Sequence, residues 1–203
     1  MSDGQPTPVH PNPVIRSERL YLRPAERADL PTFVRWFADA EVKRHLALRA
    51  PFSLAMEEKW FDGMAERQGR SDYHFVACLA EDGRPIGTVG LHGLDLENGK
   101  AEFGISLGER DVWGRGYGTE ALEAICDFGF GALRLERIEL HVYDGNARAI
   151  RSYEKAGFLH EGRLRNAHFG EGRHSDVLVM ALLRAEWQAL ERRTSWQISF
   201  DGR

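Results

Sequence analysis

Apolar and polar positions along the chain change period several times, and each change predicts an element. Leu20 and Leu22 alternate with Arg19, Tyr21 and Arg23, a short strand that ends at Pro24. Leu30, Phe33, Val34 and Phe37 then recur at helical spacing, with Asp29 placed to cap that helix. A second helical stretch covers 54–68, with Met56, Trp60 and Met64 on one side. Strand-like runs follow at 73–80, 85–94 and 101–107, separated by turns at Glu81-Asp82-Gly83 and Glu97-Asn98-Gly99. Loops this short predict an antiparallel meander. Helical spacing returns over 119–133, where Leu122, Ile125, Cys126, Gly129 and Leu133 form one face. Over 137–143, Ile138, Leu140 and Val142 alternate with Glu139, His141 and Tyr143. A helix over 147–156 is stopped by Gly157, and two last strands flank Gly170-Glu171-Gly172, the second over 177–183. The order predicts an α/β (α+β) fold, a mixed but mostly antiparallel central sheet flanked by helices.

Composition narrows the class. A chain of 203 residues fits one domain with extensions. Residues 1–14 carry Pro6, Pro8, Pro11 and Pro13, half of the eight prolines, and are expected to be a flexible arm. A single domain is expected over 15–187 and a charged tail without clear period over 188–203. A net charge of −4 argues against nucleic acid as a partner but leaves a cationic substrate open. No apolar run approaches the roughly 18 residues of a membrane span. The first residues have neither the basic nor the apolar region of a secretory signal. Two cysteines make no disulfide framework, so the expected location is the cytoplasm. Cys78 and Cys126 read as core fillers rather than nucleophiles.

The densest chemical signal is Trp113-Gly114-Arg115-Gly116-Tyr117-Gly118-Thr119, between a strand and an amphipathic helix. Alternate glycines clear the backbone of side chains, and the exposed amides with a helix start behind them make an anion site suited to phosphate. Arg115 adds a positive charge at the rim. The spacing is not that of a dinucleotide fold, and no Gly-Lys-Ser/Thr follows, which excludes a P-loop nucleotidase. A tight structural turn is the competing reading of this loop.

WGRGYGTEAL, followed by NARAIRSYEKAGF, resembles the acetyl-CoA motifs of the GCN5-related N-acetyltransferases (GNAT), above all the RimJ/RimL-like branch that acetylates ribosomal protein N-termini. The resemblance runs from about Arg19 to Trp187. It implies an acyl-CoA N-acyltransferase fold and acetyl-CoA as co-substrate, its pyrophosphate on the loop amides, with Gly116 and Gly118 at the family's glycine positions. Trp113 stands where the family has Gln or Arg, a departure that main-chain binding tolerates. The resemblance further places the pantetheine arm along Ile105, Ser106 and Leu107, a bond to it on Asn146, and the acid that protonates the leaving thiolate on Tyr153. Read without it, Asn146 is a helix cap and Tyr153 a packed core tyrosine.

Acetyl transfer to an amine needs a base, donors for the developing oxyanion and an acid for the thiolate. A strand amide near Ser106 or Leu107 can serve the oxyanion. Two residues are candidates for the base. Glu102 lies on the strand before the loop, opposite Phe103, Ile105 and Leu107, and His141 lies on the polar face of the next strand. Some family members carry a Glu where His141 stands; histidine suits a base near neutrality. Each has a bland alternative as an ordinary strand residue, and water can replace either. His92, His168 and His174 are too scattered to predict a metal. Trp36, Trp60, Phe52 and His168 are candidates to line the acceptor pocket, with core packing as the competing role for the aromatic rings. The leading expectation is acetylation of a protein N-terminal amine. The alternatives are a small amine, such as a polyamine or aminoglycoside, and a non-catalytic CoA-binding module. A homodimer is left open.

Overall fold

The computed structural model describes residues 15–48 and 51–201. The proline-rich arm expected at 1–14 lies outside the described residues. Eight strands form one sheet: β1 Ile15–Arg16, β2 Leu20–Pro24, β3 Tyr73–Leu79, β4 Pro85–Asp95, β5 Lys100–Leu107, β6 Arg137–Tyr143, β7 Leu159–Gly170 and β8 Arg173–Leu183. They lie in the order β1-β2-β3-β4-β5-β6-β8-β7. Every neighbouring pair is antiparallel except β5 and β6. That exception follows from connectivity, because a helix rather than a hairpin joins these two strands. The fold is therefore the mixed, mostly antiparallel sheet flanked by helices that the pattern predicts.

Helices α1 Leu30–Ala38, α2 Ala40–Lys43 and α3 Leu54–Arg67 precede β3. Helix α4 Tyr117–Asp127 makes the crossover, α5 Ala147–Lys155 follows β6, and α6 Arg184–Gln188 and α7 Ser195–Asp201 end the described chain. On one sheet face Phe75, Leu91, Phe103, Ile138 and Leu140 pack with Leu122 and Ile125 of α4 in the main core. On the other face Tyr21, Val76 and Cys78 meet Leu30, Phe33 and Trp36 of α1. Both cysteines are free and buried, as core fillers should be. Among the described residues no helix is long and apolar enough to cross a membrane.

Four local expectations need correction. Asp29 does not cap α1 through its side chain. Its carboxylate instead accepts from both Arg23 guanidinium nitrogens at 2.7 Å and from the Glu26 amide at 2.8 Å. On α3, Met64 is buried, but Met56 and Trp60 are exposed and Glu57 is buried in the same helix. The helix expected over 119–133 starts at Tyr117 and becomes a π-helical turn over Phe128–Ala132. Glycines permit that turn to pack closely. A Cβ at Gly129 would lie 2.8 Å from Ile138, and one at Gly131 would lie 2.6 Å from Trp196. The last strand begins at Arg173, earlier than its apolar run suggests.

The segment after Trp187 is anchored by a buried carboxylate. Asp127, at the end of α4, accepts from Trp187 Nε1 at 2.9 Å, from the Ser195 amide at 2.7 Å and from the Arg192 guanidinium. Such a charge is tolerated in the interior because its lone pairs are met by a cation and two N–H donors.

Candidate active site

Strands β5 and β6 pair only from Lys100↔Arg137 to Glu102↔Glu139. Beyond that register β5 runs on to Leu107 and β6 to Tyr143, so the two part. Alternate backbone groups of β5 then have no strand partner on the β6 side, the arrangement by which an extended ligand can add to a sheet edge. A cavity of about 800 Å³ occupies the gap and is lined from both sheet faces, by Phe103 and Ile105 on one and by Glu102, Gly104 and Ser106 on the other.

The glycine loop closes one end of this cavity. Gly114 and Gly116 have φ of +76° and +85°, in the left-handed region that glycine occupies without strain. Gly116 is the N-cap of α4 and offers no side chain, so the first-turn amides of the helix remain available to an anion. Gly114, Gly116, Tyr117, Gly118 and Thr119 all line the cavity, whereas Arg115 stays at the exposed rim. Trp113 has a role that its place in the motif does not convey. Its indole Nε1 donates to the Leu107 carbonyl at 3.0 Å, pinning the loop to the end of β5, and the Arg148 guanidinium lies 4.2 Å over its ring. Arg19, read from the sequence only as a strand residue, stacks 4.4 Å over Tyr117, pairs with Glu120 and donates to the Arg115 carbonyl at 3.0 Å.

Ile105, Ser106 and Leu107 line the cavity from β5, and the Ser106 hydroxyl is buried without a hydrogen-bond partner. A buried hydroxyl in that state carries a desolvation cost that a ligand group can relieve. Asn146 reaches the same cavity while capping α5, its Oδ1 accepting from the Ala149 amide at 3.2 Å. Thr119 and Ser152 hydroxyls, 2.7 Å apart, tie α4 to α5. Tyr153 stands edge-on to Phe103 with ring centroids 6.0 Å apart, and burial pushes its hydroxyl up to about 12. It is thus a packed tyrosine and a cavity residue at once, and it stays protonated at neutral pH.

The two candidate bases come together. His141 Nδ1 lies 3.1 Å from Glu102 Oε1, where β5 and β6 part, and both residues line the cavity. Sequence reasoning named them separately; the parallel register makes them neighbours. Of the proposed acceptor-pocket residues, Phe52 and Trp60 line the cavity. Trp36 does not: it is buried in the α1 core, with Nε1 bonded to Glu109 at 2.7 Å. His168 instead stacks on Tyr143 at 3.7 Å between ring centroids.

Glu57 and His74 also line the cavity without having been singled out, and His92, which the sequence left scattered, joins them there. Glu57 is buried on α3, and burial raises its carboxyl above the usual range. His74 lies between Trp60, 5.6 Å away edge-on, and His92, 4.6 Å away. Burial, then the neighbouring His92, push His74 down to about 4, and burial likewise lowers His92. His74 is foreshadowed only by alternation with Phe75 in β3.

An open helix start, an unpaired strand edge and a carboxylate–imidazole pair thus share one cavity. The acetyltransferase (GNAT) domain family matches residues 19–159, and the chain belongs to that family. It is an N-acetyltransferase, and enzymes of this family use acetyl-CoA. It is 33% identical over 174 residues to the Uncharacterized N-acetyltransferase p20 of Bacillus licheniformis, covering 84% of this chain and 96% of that one. It is 34% identical over 112 residues to the Putative ribosomal N-acetyltransferase YdaF of Bacillus subtilis, covering 55% and 61%. Among solved structures, a spermidine N-acetyltransferase from Vibrio cholerae in complex with CoA and spermine is similar at 27% identity and a TM-score of 0.77, covering 85% of this chain and 99% of that one.

Proposed function

We propose that the chain moves an acetyl group from acetyl-CoA to the α-amine of a protein N-terminus, as a RimJ/RimL-like enzyme. The carrying observation is the Glu102–His141 pair, set in the β5–β6 gap and facing a cavity walled by aromatic rings. In this reading the pyrophosphate rests on the α4 amides and the pantetheine arm extends along Ile105, Ser106 and Leu107, bonded by Asn146. The Glu102–His141 pair takes the ammonium proton. The free amine then forms the new N–C bond at the thioester carbonyl, whose developing oxyanion a β5 amide stabilises. The C–S bond breaks, the nitrogen gives up its second proton to solvent, and the thiolate takes the Tyr153 hydroxyl proton, which solvent restores.

The walls favour a peptide over a polycation. Phe33, Phe37, Phe52 and Trp60 line the acceptor side and suit an apolar first side chain. A smaller depression shares Glu41, His45, Trp113, Asn146 and Arg148 with this cavity and adds Arg44. At that rim Arg44 is paired with both Glu41 and Glu171, and Arg148, stacked on Trp113, disfavours a polyamine. The likeness to YdaF agrees with this acceptor. The second reading, a small polyamine, draws on the Vibrio cholerae structure and on buried Glu57, a carboxyl that an ammonium group can pair with. Thiol release from acetyl-CoA, measured in parallel on peptides of varied N-terminal residue and on spermidine and aminoglycosides, tests the choice. Peptide turnover is expected. Turnover of small amines alone would overturn the N-terminal reading.

A further inference from the structure

Asp72, His74 and His92 gather beside the cavity, which His74 and His92 line. The strand register brings them there. Asp72 and His74 are two apart in the chain, and His74 is opposite Gly90 on β4, which makes His92 its diagonal cross-strand neighbour. One ligand atom from each residue lies within 4.8 Å of the other two. The His92 ring lies against the sheet where two glycines leave room for it. A Cβ at Gly104 would lie 2.9 Å from His92 Nε2, and one at Gly90 would lie 3.1 Å from its Cε1.

We propose that Asp72, His74 and His92 form a binding site for a single late first-row divalent ion of the zinc type. Two imidazoles and a carboxylate are the donor set such ions select over magnesium or calcium. His74 Nε2 is buried without a hydrogen-bond partner, 4.0 Å from Asp72 Oδ2, so a donor atom is already stripped of water. The carboxylate is oriented by groups that leave it further lone pairs: Arg67 Nε donates to Oδ2 at 2.6 Å and the Gly93 amide to Oδ1 at 3.0 Å. Outer partners of this kind fix ligands in metal sites. Metal–ligand bonds of about 2.0–2.2 Å require the three atoms to close by roughly 1 Å, within reach of side-chain rotation. His74 and His92 line the cavity, which can supply water for a remaining coordination position.

The test is calorimetric titration of the metal-free full chain with zinc, without acetyl-CoA or acceptor, beside His74→Gln and His92→Gln. One ion per chain is expected, with affinity lost in each variant by at least the roughly 10–100-fold that removal of an outer partner costs. X-ray absorption of the zinc-loaded wild-type chain gives a second readout that needs no variant to fold, and should show imidazole nitrogens with a carboxylate oxygen. Absence of stoichiometric binding, undiminished affinity in both variants, or a first shell without imidazole would each overturn the site. None of these readouts depends on the acceptor, so failure of the N-terminal reading leaves the result intact.

Discussion

His141 Nδ1 stands 3.1 Å from Glu102 Oε1 on strands whose pairing has ended before the histidine, at Glu102↔Glu139. The pair therefore sits where a reacting amine can approach it without breaking a sheet hydrogen bond. Both side chains are well exposed, so their mutual attraction adds little stability. Their value in the proposed reaction is positional. His141→Ala and Glu102→Gln should each lower kcat/KM by about 10²-fold or more, with melting temperature nearly unchanged. Activity retained in both variants would move the base to solvent.

Tyr153 gives a separate expectation, because burial raises its hydroxyl to about 12. A raised tyrosine holds its proton, so the acid form is full throughout the neutral range and is lost only as pH rises through that value. The turnover profile should accordingly show no falling alkaline limb from Tyr153 below about pH 11. Tyr153→Phe should lower kcat while leaving CoA affinity within about twofold, since the ring contact with Phe103 survives. A large loss of CoA affinity, measured by titration calorimetry, would assign Tyr153 to packing alone.

The parts of the site legible in the sequence are those where one stretch of backbone does the chemistry. Gly114 and Gly116 could be named because only glycine takes their left-handed φ freely, and the helix behind them announces itself by period. Asn146 was legible for the same local reason. What stayed hidden depends on register between distant segments. Nothing in β3 or β4 alone says that His74 meets His92, and nothing near Asp127 says that Arg192 and Ser195 will return to it. Asp29 shows the converse error. Its position fits a cap, but Arg23 on the preceding strand offers a two-pronged partner and wins the carboxylate.

Gly108, just past β5, joins the site to the α1 core. A Cβ there would lie 2.0 Å from the Trp36 ring, and that ring is buried and held by Glu109. Neither partner can yield cheaply, so Gly108→Ala should destabilise by about 1–3 kcal/mol. Chemical denaturation should show this as a lower midpoint with an unchanged slope. Unaltered stability would mean that Trp36 has an alternative rotamer available.

Glu57 supplies a pH test whose sign is fixed by its environment. Burial raises its carboxyl in the folded state, so the folded chain holds that proton more tightly than the unfolded chain. Its contribution to stability is complete below the unfolded value of about 4.5 and is lost as pH rises through the folded value. At neutral pH the raised carboxyl is therefore a cost, and Glu57→Gln removes it while keeping the side chain's shape. The variant should melt higher than the wild type at pH 7, and the gap should close as pH approaches about 4. Melting curves across that range decide the matter. A gap that does not narrow would mean that the gain comes from amide hydrogen bonding rather than from relief of a buried charge. An accompanying loss of spermidine turnover, without loss on peptides, would assign the carboxylate to ammonium recognition.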